Sequence, residues 1–299
     1  MRFDRDDFGS NIENQRGMGF GGGGGLGGGG GMLLGLIASR FGIGGIVVVL
    51  IIMFLFGGLG GIFGGGGQQA VNKGQPGGQA GTEVCRSDDV TRFSCNVFGS
   101  TQQVWTSLFR EQGEQFPLPK LVFYSNRGQS GCGAAQSAMG PFYCPQDQGI
   151  YLDTDFFNEL SRQFGAPGDF AQAYVIAHEM GHHVQTVTGV NDQIRRGQRA
   201  AGESESNALQ VRMELQADCL AGVWAAQARR SGDQIEAGDL EEGLRAAAAI
   251  GDDTLQSASG RRPVPESFTH GTSAQRQEAL RRGFQGGTPD SCAGYMQGV

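Results

Sequence analysis

The sequence predicts an α+β chain: a small antiparallel or mixed sheet, a mainly helical C-terminal part, and one transmembrane helix ahead of both. Three observations carry this. Residues 120–124 and 139–153 read as short strands separated by Gly, Pro and Asp. From residue 169 onward apolar residues recur at helical spacing. Residues 41–63 run without a charge, long enough to cross a bilayer as a helix.

In chain order, residues 1–40 are polar and then almost pure glycine. The run 21–31, broken only by Leu26, cannot bury a core, so a disordered cytoplasmic tail is expected here. No strand precedes the glycines and no G-K-[ST] follows, which excludes a phosphate-binding loop. The 41–63 segment lies too deep and is too long for an ordinary signal peptide, so a retained single-span anchor is expected. Arg2, Arg5, Arg16 and Arg40 precede it and Lys73 alone follows closely, which puts the N-terminus in the cytoplasm and the rest outside. Residues 64–82, rich in Gly and Gln, read as a tether, and residues 83–299 as one globular domain.

Within that domain, residues 102–109 have helical spacing and residues 120–124 strand character. Residues 139–145 and 149–153 fit two strands joined by a turn at Gln146–Gly149, with Pro141 marking an edge strand. An exposed edge can pair with an extended peptide, or can simply be a hairpin stapled by a disulfide. Residues 155–164 read as a short helix ended by Gly165, Pro167 and Gly168.

A longer helix is expected from Asp169, as its cap, to about Thr188, with Gly189 as its stop. It carries H-E-x-x-H as His178, Glu179 and His182. Histidines four apart share one helix face and can reach one metal ion. Glu179 then stands beside the ion's open position, where a base can act on bound water. The motif is short enough to arise by chance, and its weight comes from a second stretch.

That stretch lies on a helix expected over about 206–230, after a polar segment at 190–205 that reads equally as helix or as a mobile loop. Glu214 and Asp218 sit four apart, in rows otherwise holding Val211, Leu215, Ala221, Gly222 and Ala225. Two acids at this spacing repel one another, and an apolar face makes that worse unless a cation is near. A zinc ion on His178 and His182 is such a cation. Glu214 becomes the third ligand, and Asp218 accepts the other ring N–H of a ligand histidine, His178 in the first instance. Two further helices follow. One is expected from a capping box of Asp239 and Glu242 to before Gly251, the other from Thr272 and Gln275 to about Arg282. His270, the only histidine outside residues 178–183, precedes the last helix and could donate to an oxyanion or serve structure. Arg276 is a candidate orienting charge.

The chain is acidic, at net charge -7 over 299 residues, and has no basic cluster, which argues against nucleic acid as a partner. Its six cysteines all follow the apolar segment. An even count confined to one side of a span suggests disulfides in an oxidising compartment. Pairing in chain order gives Cys85–Cys95, Cys132–Cys144 and Cys219–Cys292. With no C-x-x-C pair anywhere, a second metal site on Cys132 and Cys144 is discounted.

His178-Glu179-Met180-Gly181-His182 together with Glu214-Leu215-Gln216-Ala217-Asp218 resembles the paired H-E-x-x-H and E-x-x-A-D motifs of gluzincin-type zinc metallopeptidases. The wider pattern resembles the neutral zinc metallopeptidase family of bacterial envelopes. It includes the glycine-rich N-terminus, Cys132-Gly133, Gly140-Pro141-Phe142-Tyr143-Cys144-Pro145, Ile150-Tyr151-Leu152-Asp153 and His270-Gly271. The resemblance implies a zincin-like fold, one zinc ion per chain on His178, His182 and Glu214, and Glu179 as catalytic base. His270-Gly271-Thr272 is similar to the H-P-S element of membrane-associated relatives, with Gly271 in place of proline. The expected activity is hydrolysis of peptide or protein substrates, with His270 a second catalytic candidate. The alternative is a non-catalytic, zinc-stabilised module that binds or assembles envelope proteins, in which Glu179 would be dispensable. One span argues against a channel or transporter.

Overall fold

A computed structural model describes residues 1–3, 6–17, 78–136, 140–157, 168–233 and 235–298. The apolar segment 41–63 lies outside the described residues, as does most of the helix expected over 155–164. Among the described residues, no helix is long and apolar enough to cross a membrane.

Among the described residues the main sheet is mixed and four-stranded. Its strands are β1 (Ile12–Asn14), β2 (Lys120–Tyr124), β5 (Phe142–Cys144) and β6 (Gly149–Asp153), in the order β1-β2-β6-β5. β1 and β2 run parallel, as do β2 and β6, while β5 closes the edge antiparallel to β6. A two-stranded antiparallel hairpin of β3 (Arg127–Ser130) and β4 (Gly133–Gln136) stands beside it. β2 and β6 are inner strands covered on both faces, which is why they read as continuous apolar runs. Leu121, Phe123, Ile150 and Leu152 face the main core, while Val122, Tyr124 and Tyr151 face a smaller cluster with Ala135 and Cys144. β5 is the edge strand that Pro141 suggested.

The helices are α1 (Gly78–Val84), α2 (Asp89–Glu111), α3 (Asp169–Val187), α4 (Val190–Ala200), α5 (Glu203–Ser231), α6 (Ala237–Ala249), α7 (Asp252–Ala258) and α8 (Ser273–Gly286). α5 packs against α8, α3, α4 and α2. An added Cβ on Gly222 would run into the Leu280 carbonyl, and one on Gly283 into the Cys219 carbonyl. α5 and α8 therefore touch backbone to backbone, which only glycine permits at both points. The same crossing carries Arg276 of α8 over Asp218 of α5. Cys85–Cys95, Cys132–Cys144 and Cys219–Cys292 are the disulfides, and the last ties α5 to the C-terminal segment.

Several expectations are corrected. Residues 1–17 are not a disordered tail: β1 is in the sheet, and the Met1 ammonium pairs with Asp169 at 2.8 Å and Asp239 at 2.9 Å. Their partners lie far along the chain, so local polarity concealed the docking. The folded unit also begins before residue 83, with α1. α3 is capped by Gly168, with Asp169 as its first residue and no side-chain cap. The segment 190–200 is helix rather than loop. α6 starts earlier than expected, because its capping box is Glu236 with Asp239. The Thr272–Gln275 box of α8 is present as read, though the helix continues to Gly286.

Candidate metal centre

α3 is buried from Phe170 through Gly181, and its motif face meets α5. An added Cβ on Gly181 would lie 3.0 Å from the Ala217 carbonyl oxygen. The glycine inside H-E-x-x-H and the alanine inside E-x-x-A-D are thus in close contact. This contact brings the two acids of α5 up to the two histidines of α3.

His178 Nε2 lies 3.2 Å and His182 Nε2 3.5 Å from the same atom, Glu214 Oε2. Two ligands at about 2.0–2.1 Å from a tetrahedral zinc stand roughly 3.3 Å apart. The separations, and the set of two imidazole nitrogens and one carboxylate oxygen, therefore fit zinc. Among the described residues the trio has no fourth His, Cys, Asp or Glu joining it.

The hydrogen bonds fix the ring orientations. A carboxylate can only accept, so His178 Nδ1 donates to Asp218 Oδ1 at 2.7 Å, leaving the Nε2 lone pair for the metal. His182 Nδ1 likewise donates to Gln185 Oε1 at 2.8 Å. The Gln185 amide in turn donates to the Met213 carbonyl and to Gln216. Gln210 donates to Glu214 Oε1 at 2.8 Å, the oxygen turned away from the histidines. Gln185 and Gln210 were missed in the sequence, although each lies one helical turn from the ligand it orients.

Asp218 has no solvent exposure and gathers three more bonds. It accepts from Tyr174 Oη at 2.5 Å, and from Arg276 Nε and Nη2 at 2.8 and 3.0 Å. Burial alone would push its carboxyl up, but Arg276 and His178 outweigh that and hold it down at about 2.

Glu179 is 7 % exposed, and its pKa is raised, first by burial, against the lowering effect of His178 and His182. Among the described residues no group hydrogen-bonds its carboxylate. A carboxylate lifted toward neutrality beside a metal site is suited to exchange protons.

His183 turns away from the trio. A carbonyl only accepts, so its Nε2 donates to the Pro117 carbonyl at 2.6 Å, and Nδ1 accepts from Tyr143 Oη at 3.0 Å. Burial pulls its pKa down to about 4, so the ring stays neutral and pins α3 to edge strand β5. His270 is not a member of the trio and is partly exposed. Asp252 Oδ2 accepts the backbone N–H groups of Thr269, His270 and Gly271, and Oδ1 lies 3.5 Å from His270 Nδ1. His270 is near enough for its charge to bear on Glu214. In a second acidic group, Asp169 and Asp239 already hold the Met1 ammonium, and Glu242 accepts the Phe170 backbone N–H.

The electrostatics predict how the metal is taken up. Burial opposes a charge on His178, but Asp218 and Glu214 outweigh it and raise the ring to about 10. His182 is also raised, by Glu214 against burial, whereas Glu214 is held well below its ordinary value by the histidines. The metal-free chain therefore carries an imidazolium at neutral pH, and zinc has to displace its proton. Calorimetric titration at pH 7, in buffers of different ionisation enthalpy, should show at least one proton released per zinc. Affinity should rise about tenfold per pH unit for each proton displaced. Heats independent of the buffer would contradict this protonation pattern.

Residues 1–295 match the profile of a family described as "Putative neutral zinc metallopeptidase". The "Uncharacterized protein YpfJ" of Escherichia coli (strain K12) is 48% identical over 212 residues, covering 71% of this chain and 74% of that protein. The "Uncharacterized protein Rv2575" of Mycobacterium tuberculosis (strain ATCC 25618 / H37Rv) is 41% identical over 223 residues, or 70% of this chain and 73% of that protein. No solved structure matches the chain.

Proposed function

Since the chain belongs to the "Putative neutral zinc metallopeptidase" family, we propose that it is a membrane-associated peptidase that hydrolyses peptide bonds with one zinc ion per chain. His178, His182 and Glu214 hold the ion. When bound, zinc makes a water acidic enough to ionise near neutral pH and polarises the scissile carbonyl. Glu179 accepts the water's proton and passes it to the leaving amine. Asp218 and Gln185 keep the two rings turned toward the metal. An extended peptide adds to the outer edge of β5, which among the described residues pairs only with β6 and which His183 and Tyr143 fasten to the motif helix. His270, on the loop gripped by Asp252, stabilises the oxyanion.

One observation favours catalysis over a structural zinc site. The trio supplies three ligands, with the raised Glu179 carboxylate beside them, whereas structural sites fill all four positions with protein. The three disulfides suit an oxidising, extracytoplasmic compartment, and the apolar segment 41–63 holds the domain at a membrane.

The test uses the purified full chain. It should carry one zinc, cleave an unfolded protein such as casein, lose both under a chelator, and recover both with one equivalent of zinc. A chain that holds zinc but cleaves neither casein nor a diverse peptide mixture would favour the binding module instead.

A further inference from the structure

The N-terminal segment is built into the domain at many points. Asp6 binds the Arg92 guanidinium with both oxygens, at 2.8 and 2.9 Å. The Asp7 backbone N–H donates to Asn96, and that of Gly9 to the Cys95 carbonyl. Arg16 reaches Ser87, Asp88 and Thr91 at the start of α2. Ile12 is 6 % exposed, and β1 covers what would otherwise be the open edge of β2. α2 is shaped for this visitor, because any side chain at Gly99 would strike the Asp7 carbonyl. Without residues 1–17 the domain would show water an unpaired strand edge and part of its core.

The described residues before the apolar stretch end at Gly17 and those after it begin at Gly78, and the two points are neighbours. α1 lies on β1: an added Cβ on Gly81 would come 3.2 Å from Ile12. Gly17 is five residues beyond Ile12, and Gly78 three before Gly81. Even fully extended, that places them within about 25 Å of one another. A single crossing of a hydrocarbon core of about 30 Å would hold them farther apart and on opposite sides.

We infer that the N-terminal segment and the metal centre lie on the same side of the membrane, and that the face bearing the end of β1 and the start of α1 is turned to the bilayer. This rests on the anchoring proposed above and replaces a cytoplasmic N-terminus facing an external domain.

All six native cysteines are paired, so one added cysteine can report its side by labelling. Glu13→Cys, or Ser10→Cys as a second position, reports the N-terminal segment, and Ala258→Cys the domain, all at exposed sites. Each full-length variant is expressed in a bacterial host. Spheroplasts are treated with a membrane-impermeant maleimide, intact or permeabilised, and membranes are then washed at alkaline pH. The expected result is retention in the membrane with all positions labelled alike in intact spheroplasts. Labelling of all positions only after permeabilisation would also support a shared side, while moving it to the cytoplasm. Labelling of Ala258→Cys in intact spheroplasts, with Glu13→Cys and Ser10→Cys reached only after permeabilisation, would overturn the inference and leave the anchor standing. Release of the chain by the wash would remove the anchor, and the membrane-facing surface with it.

Discussion

Glu179→Gln should leave the zinc content at one per chain and lower the rate of peptide cleavage by about a hundredfold to ten-thousandfold. The ring nitrogens of His178 and His182 converge on Glu214, and Glu179 is no member of that trio. Glutamine matches its shape and adds no buried charge, so folding and metal binding are preserved. Burial raises the pKa of Glu179 in the native chain, so a neutral side chain there is tolerated at least as well as a carboxylate. What the amide cannot do is accept a proton from water and release it to an amine. Zinc analysis and steady-state cleavage on the same preparation separate the two effects. A variant that cleaves as fast as the native chain would remove Glu179 from the reaction, and one that loses zinc would place it in the coordination sphere.

The parts of the site that were legible in the sequence are those whose reasons lie within one helix. His178 and His182 share a face because they are four apart, and so do Glu214 and Asp218. The acid pair was informative because its apolar neighbours made two like charges costly. The edge strand was legible from Pro141, and the Thr272–Gln275 box from its spacing. What stayed hidden depends on distant partners. Residues 1–17 balance acids against arginines and look like a solvated tail until Arg92, Asn96 and Asp88 are brought alongside. The capping box of α6 was misplaced by three residues because Glu236, Asp239 and Glu242 repeat at that spacing, and local sequence does not choose between the two pairs. His183 adjoins the motif in sequence, and only the fold shows that Tyr143 and Pro117 engage both its nitrogens. Arg276 was named only as a candidate charge, since nothing local says that a cation on an otherwise polar helix goes 2 % exposed.

That burial makes Arg276→Met the second large effect, and one of stability first. Arg276 donates to both oxygens of Asp218, to Tyr174 Oη and to the Ile250 carbonyl. Asp218 has no contact with water. Removing the cation leaves the buried carboxylate with only His178 and Tyr174, a loss of up to about 3–5 kcal/mol by comparison with other broken buried pairs. For a domain of this size that is a fall in Tm of about 10 °C. The pH dependence separates charge from packing. Asp218 is held at about 2 in the folded chain, against about 3.9 when unfolded. A depressed carboxyl contributes stability above its unfolded pKa and loses it as pH falls through the folded value. In Arg276→Met that depression weakens, so the deficit should be full at pH 7 and should narrow as pH falls from about 4 toward 2. Arg276→Lys restores charge without the two-pronged geometry and should recover only part of the loss. Combining Arg276→Met with Asp218→Asn should cost less than the sum of the single changes, because no charge is then left stranded. Measured on the zinc-free chain, a deficit as large at pH 3 as at pH 7, with additive single changes, would mean that Arg276 serves packing alone. A deficit that closes in acid would tie the ligand His178 through Asp218 to a cation on another helix, so that the centre's geometry is set by the α5–α8 crossing as much as by the motif helix.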